Sequence, residues 1–112
     1  MKEYLMLARG IRSHWEQLNE NEWEALMDRF GAWTKKLKEQ DLYVRAMRLT
    51  PTRRDVLSEG AAVVDGPFAE TKETVGGYFI FRARDMNHAE EIARGCPALL
   101  KDDLSIYEIQ GG

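Results

Sequence analysis

The sequence predicts an α+β domain in which two β-α-β crossovers are combined with a β-hairpin. Three observations lead there. Apolar residues recur at helical spacing over one long stretch, from Trp23 to Leu37. Short runs rich in strand formers flank that stretch on both sides, and a second, shorter helical stretch is flanked in the same way. The chain has 112 residues, which makes one domain, 1–112, with no room for a second core. That length buries a core without disulfides or metal.

The elements follow in order. EYLMLAR reads as a first strand, and GIRSHWEQLNEN as a polar connection. Trp23, Leu26, Met27, Phe30, Trp33 and Leu37 then make one apolar stripe along a helix. Asn19 and Glu22 fit a capping box at its start, with Leu18 and Trp23 spaced as a hydrophobic staple. Gly31 within it suggests the close approach of another backbone. LYVRAMRL, Leu42 to Leu49, is a second strand, ended by Thr50-Pro51. RRDVLSEGAAVV reads as a hairpin turning at Ser58-Glu59-Gly60. GGYFIFRAR is the strongest strand signal. A short helix follows, with Asn87 and Glu90 as a second capping box and Ala89, Ile92 and Ala93 on its buried side. Gly95-Cys96-Pro97 stops it, and LSIYEIQ is the last strand.

This order predicts a ferredoxin-like α+β sandwich with an added hairpin. Alternation within the strands adds an expectation about assembly. Tyr78 and Ile80 point one way and Phe79 and Phe81 the other, while Tyr4 and Met6 oppose Leu5 and Leu7. Two helices cover one face of the sheet, so the apolar second face predicts a homodimer formed through it.

Composition narrows the function classes. A net charge of -3 argues against a broad nucleic-acid surface, which needs a basic face. The single Cys96 forms no internal disulfide, and no Cys/His spacing matches a metal site. The apolar run from Tyr4 to Ala8 is too short for a signal peptide or a membrane span. The expectation is a cytoplasmic protein without cofactor. Phosphate loops, dinucleotide fingerprints, nucleophile elbows and zinc-protease motifs are absent.

The stretch DGPFAETKE, Asp65 to Glu73, is the candidate site. Pro67 fixes φ and biases Gly66 toward an extended backbone, and Phe68 would anchor the loop. Asp65 then stands at a strand end, either capping its own turn or aimed into a cavity. Glu70, Lys72 and Glu73 add two carboxylates and an amine. Gly76 and Gly77 open the next strand, permitting a bulge or the close approach of a ligand. His14, just beyond the first strand, is a candidate general base oriented by Asp65, or an exposed loop histidine. His88, in the first turn of the short helix, reads as a surface residue.

DGPFAETKE followed closely by GGYFIF resembles the signature of the YCII-related (YciI-like) proteins of the DGPF type, and the likeness extends over nearly the whole chain. The resemblance implies a dimeric α/β-barrel form of the ferredoxin-like fold. Proteins of this wider family carry a histidine and an aspartate in a cleft, read as an acid–base site. Asp65 matches the DGPF aspartate; no histidine stands at an equivalent motif position, which brings in Glu70 or Lys72 as partners of Asp65. Association of DGPF-type domains with extracytoplasmic-function sigma factors implies a regulatory or ligand-sensing role as the alternative.

Two functions are therefore expected to compete. One is cofactor-independent acid–base catalysis, of the isomerase or lyase type, on a small polar metabolite, with Asp65 and His14 as the catalytic pair. Gly66, Pro67, Phe68, Glu70, Lys72, Glu73, Gly76 and Gly77 would then line the ligand site. The other is binding of a small molecule without turnover, with a purely structural dimer domain as a third possibility.

Overall fold

A computed structural model describes residues 1–58, 64–65 and 73–111, the pair 64–65 by backbone alone. The elements are β1 (Lys2–Ile11), α1 (Arg12–Glu16), α2 (Glu20–Glu39), β2 (Tyr43–Arg48), β3 (Arg54–Asp55), β4 (Val64–Asp65), β5 (Glu73–Ala83), α3 (Met86–Arg94) and β6 (Asp103–Glu108), with a 3₁₀ turn at Pro97–Leu100. Four strands form one sheet in the order β2-β5-β1-β6, and every pairing is antiparallel. β5 thus lies between β1 and β2, and β1 between β5 and β6, so each helix crosses over a neighbouring strand. This is the ferredoxin-like arrangement. β3 and β4 pair separately, Arg54 opposite Asp65 and Asp55 opposite Val64, as the two arms of the expected hairpin.

Side chains of one sheet face pack beneath the helices. Tyr4, Met6, Phe81 and Ala83 from the strands meet Trp33 and Leu37 of α2 and Ala89, Ile92 and Ala93 of α3. Trp33 sets an edge-on ring against Phe79 at 5.2 Å. Its indole N–H donates to the carbonyl of Ile92 at 3.2 Å. One side chain thereby joins α2, β5 and α3. The opposite face carries Leu5, Leu7, Tyr78 and Ile80, all half-buried. Met47 and Tyr107 there are 55% and 56% exposed. Among the described residues no helix is long and apolar enough to cross a membrane.

The start of α2 follows the sequence. Asn19 accepts from the Glu22 N–H at 2.8 Å, and the Glu22 carboxylate accepts from the Asn19 N–H at 3.1 Å. At its other end Asp41 takes φ 58°. Leu42 then donates to Leu37 at 2.8 Å and Asp41 to Lys38 at 3.1 Å, a Schellman termination made without glycine.

Four local expectations change. The first strand runs on to Ile11, and the connection after it contains α1. The strand at GGYFIFRAR begins earlier, at Glu73. The N-cap of α3 is Asp85, not Asn87, because the Asp85 carboxylate reaches the His88 N–H at 2.8 Å and starts the helix two residues sooner. His88 turns back so that Nδ1 accepts from the Arg84 N–H at 3.0 Å. Gly31 faces no close backbone: a Cβ placed there would meet nothing within 4 Å.

Candidate functional site

Core-facing side chains shrink along the sheet. On β1 they run Tyr4, Met6, Ala8, Gly10; on β5 they run Phe81, Phe79, Gly77. β2 contributes Ala46 at the same end. Above that end α2 carries Trp23, Leu26 and Met27, while Phe30 stacks on Phe79 of β5 at 6.2 Å, and a gap is left over the small residues. A cavity of about 530 Å³ results, closed on one side by Trp15 and Leu18 and bordered by Arg12 and Arg48. Its size and mostly apolar wall are those of a small-molecule pocket.

The glycine pair at the start of β5 does both things its sequence allows. The β1–β5 register shifts after Ala8, which faces Gly77, while Arg9 faces Val75. Gly76 is therefore the extra residue of a bulge. Gly77 lies so near β2 that a Cβ would stand 3.0 Å from the Met47 carbonyl oxygen.

One carboxyl belongs to this cavity. Asp102 follows the 3₁₀ turn, whose Ala98 carbonyl accepts its N–H at 2.9 Å. It precedes β6, whose Asp103 pairs with Arg9 of β1. The side chain is thus delivered beside Gly10, where the missing Cβ leaves it room, with Gly76 at ordinary contact distance. Asp102 is only 8% exposed and is the one buried charged residue among those described. The Trp15 indole N–H donates to its Oδ1 at 2.8 Å. Burial raises its proton affinity above that of an ordinary carboxylate; the Trp15 hydrogen bond opposes this. Asp103 and Glu73 add to the rise, and His14 counters it. The group is a carboxyl in apolar surroundings, fixed in orientation by one donor and facing a space large enough for a ligand.

The expected residues are distributed as follows. His14 lies on α1, exposed, and acts on Asp102 through charge. Glu73 begins β5 and accepts from Arg9 Nη1 at 2.8 Å. Gly76 and Gly77 line the cavity. Asp65 is on β4, and only its backbone, opposite Arg54, is described. Gly66, Pro67, Phe68, Glu70 and Lys72 lie outside the described residues. Cys96 is buried, and burial pushes its thiol up to about 11, so it stays protonated and inert near neutral pH. No group of three or more His, Cys, Asp or Glu among the described residues is placed to hold a metal.

Comparison with known proteins accords with this fold. The profile of the YCII-related domain matches residues 3–110. The chain belongs to the YCII-related family. An uncharacterized protein of Rhizobium meliloti (strain 1021) is 34% identical over 83 residues, covering 57% of this chain and 67% of that protein. That match spans the sheet and both crossovers of this chain, and neither comparison names a reaction.

Asp102 is the residue that sequence reading missed. In KDDLSIYE it looks like one of two adjacent solvated acids before a strand. A signal did exist. Alternation puts Tyr4, Met6, Ala8 and Gly10 on one face of the first strand, and that taper predicts a void wherever a long helix crosses its small end.

Proposed function

We propose that the cavity between α2 and the sheet is the working site and that Asp102 is its acid–base group. The function would be cofactor-independent proton transfer on a small molecule, of the isomerase or lyase type. The observation that carries this is a buried carboxyl of raised proton affinity, held by an indole N–H at the wall of a cavity of about 530 Å³. A carboxyl that keeps its proton nearer to neutral pH can donate it to a carbonyl or leaving-group oxygen and, once ionised, can take one from carbon. The burial of Asp102 lowers the local dielectric, which strengthens both steps. His14, exposed on α1, lies near enough to counter part of the rise in this group's proton affinity. Gly76 and Gly77 shape the floor, and burial keeps the carboxyl's proton affinity high, with Asp103 and Glu73 adding to it.

Asp65 and the loop residues Gly66, Pro67, Phe68, Glu70 and Lys72 are proposed as further ligand contacts, a role that Asp65→Asn tests separately. Self-association through the face carrying Leu5, Leu7, Tyr78 and Ile80 is proposed for the second side of the sheet; light scattering at micromolar concentration tests it. Binding without turnover is the competing function, favoured by the largely apolar wall of the cavity.

The deciding experiment is hydrogen–deuterium exchange by NMR, with a panel of small carbonyl compounds in deuterium oxide. Exchange at the carbon next to the carbonyl, present with the native protein and lost in Asp102→Asn, is the expected result. Binding without exchange would leave a sensing module, and exchange that survives in Asp102→Asn would remove Asp102 from the chemistry.

A further inference from the structure

The cavity has a second polar pole, which no reading of the acid–base group explains. Two arginines border it. Arg12 is engaged, with Nε 3.4 Å from the Glu16 carboxylate. Arg48 has no ion-pair partner among the described residues; its guanidinium lies over the face of Trp23, 4.7 Å from the ring centroid. That contact sets the group against an aromatic wall, and among the described residues no carboxylate pairs with its N–H groups.

Register places this pole relative to Asp102. Arg48 is opposite Gly77 on β5, and Gly77 is opposite Ala8 on β1. Neighbouring strands are about 4.8 Å apart, so Arg48 and Ala8 are roughly 10 Å apart across the sheet. Asp102 stands beside Gly10, the next core-facing position of β1 after Ala8. Between the two poles the floor is small residues and the roof is the aromatic side of α2, with Trp23 and Phe30.

Resting on the reading of this cavity as the working site, we infer that it takes a flat, apolar molecule carrying one anionic group. The anion would lie against Arg48 and the far end against Asp102. One or two fused rings with a carboxylate fit within a cavity of about 530 Å³. A cation would face Arg48 unpaired. A dianion would bring its second charge against the buried Asp102 carboxyl, whose raised proton affinity already marks that end as unfavourable to negative charge.

Calorimetric titration with naphthalene-2-carboxylate and with naphthalene-2-methanol tests the inference, because the two probes share a ring system and differ in charge. The carboxylate should bind about tenfold more tightly to the native protein, a difference typical of one charge-assisted contact. Arg48→Gln should abolish that preference and leave the neutral probe within about twofold of its native affinity, and Arg48→Lys should restore part of the preference. Equal affinities in the native protein, no saturable binding of either probe, or a preference unchanged in Arg48→Gln would each overturn the inference. The native ratio decides even if a variant fails to fold. Failure of the acid–base reading is seen elsewhere, as exchange that does not depend on Asp102, and leaves the charge preference intact.

Discussion

Replacing Gly10 with alanine tests whether Asp102 occupies the place described. A Cβ at position 10 would overlap Oδ1 of Asp102 and stand 2.8 Å from its Cγ and 3.4 Å from its Cα. The carboxyl cannot swing aside freely, because Trp15 holds Oδ1 at 2.8 Å and the residue is 8% exposed. Overpacking of this kind costs about 1–3 kcal/mol. Alanine regains about 0.5–1 kcal/mol over glycine in a regular element. The net loss is then about 1–2 kcal/mol, or roughly 4–8 °C in Tm for a domain near this size. Asp102→Ala removes both Cγ and Oδ1, so in that background the nearest of these atoms is Cα at 3.4 Å, an ordinary close contact. There Gly10→Ala should be neutral or slightly stabilising, which gives a coupling of about 2 kcal/mol between two residues in contact. Urea unfolding of the four proteins at one pH, with unchanged m, supplies the cycle. An equal loss in both backgrounds would mean that the carboxyl does not lie against Gly10.

Two further outcomes follow from the same geometry. Burial raises the Asp102 proton affinity in the folded protein above its unfolded value, so its contribution to stability is complete below about pH 3.9 and is lost as pH rises through the folded value. Compared with Asp102→Asn, which does not titrate, the native protein should therefore lose ground between acid and neutral pH in denaturant melts, with His14, Asp103 and Glu73 left in place. A difference independent of pH would contradict the assigned burial. Gly31→Ala should stabilise by about 1 kcal/mol, because the position is inside α2 and a Cβ meets nothing within 4 Å. A lower Tm would show that the wall of the cavity at Gly31 is not open.

The sequence carried the fold because its signals were local. Asn19 and Glu22 mark the start of α2 through hydrogen bonds between residues three apart, and such bonds form in any context that lets the helix begin. The strands were legible from alternation, and their count and order left few topologies. The candidate site was less legible. Gly10 lies on β1, Trp15 on α1 and Asp102 in the link before β6, and the hydrogen bond between Trp15 and Asp102 joins residues 87 apart. Acidity and proline content drew attention to Asp65 and its loop, yet neither property measures burial, which for Asp102 depends on where the 3₁₀ turn ends. The same limit explains the cap of α3. Asn87 satisfies the capping-box spacing with Glu90, whereas Asp85 has His88 three residues on, yet it is the Asp85 carboxylate that caps the helix.

Two departures from a stability-optimised core coincide at one end of the sheet. Leaving a gap beneath a helix forgoes packing that leucine or valine at Ala8 or Ala46 would supply. Burying a carboxyl with a single donor among the described residues opposes folding, because an ionised group loses its water and a protonated one gains little. Either departure alone has an ordinary explanation, such as a local packing defect or an acid carried along by β6. Together they compound each other, since the gap is what keeps the carboxyl facing open space instead of packed hydrocarbon. The opposite end of the same sheet shows that this chain packs densely, with Tyr4, Met6 and Phe81 at most 1% exposed. A sequence that fills one end and holds the other open around a desolvated acid retains stability where the helices cross and gives it up where a ligand would enter. That distribution is expected when the loose end has a task in binding or proton transfer, and it places Asp102 ahead of every exposed carboxylate in the chain.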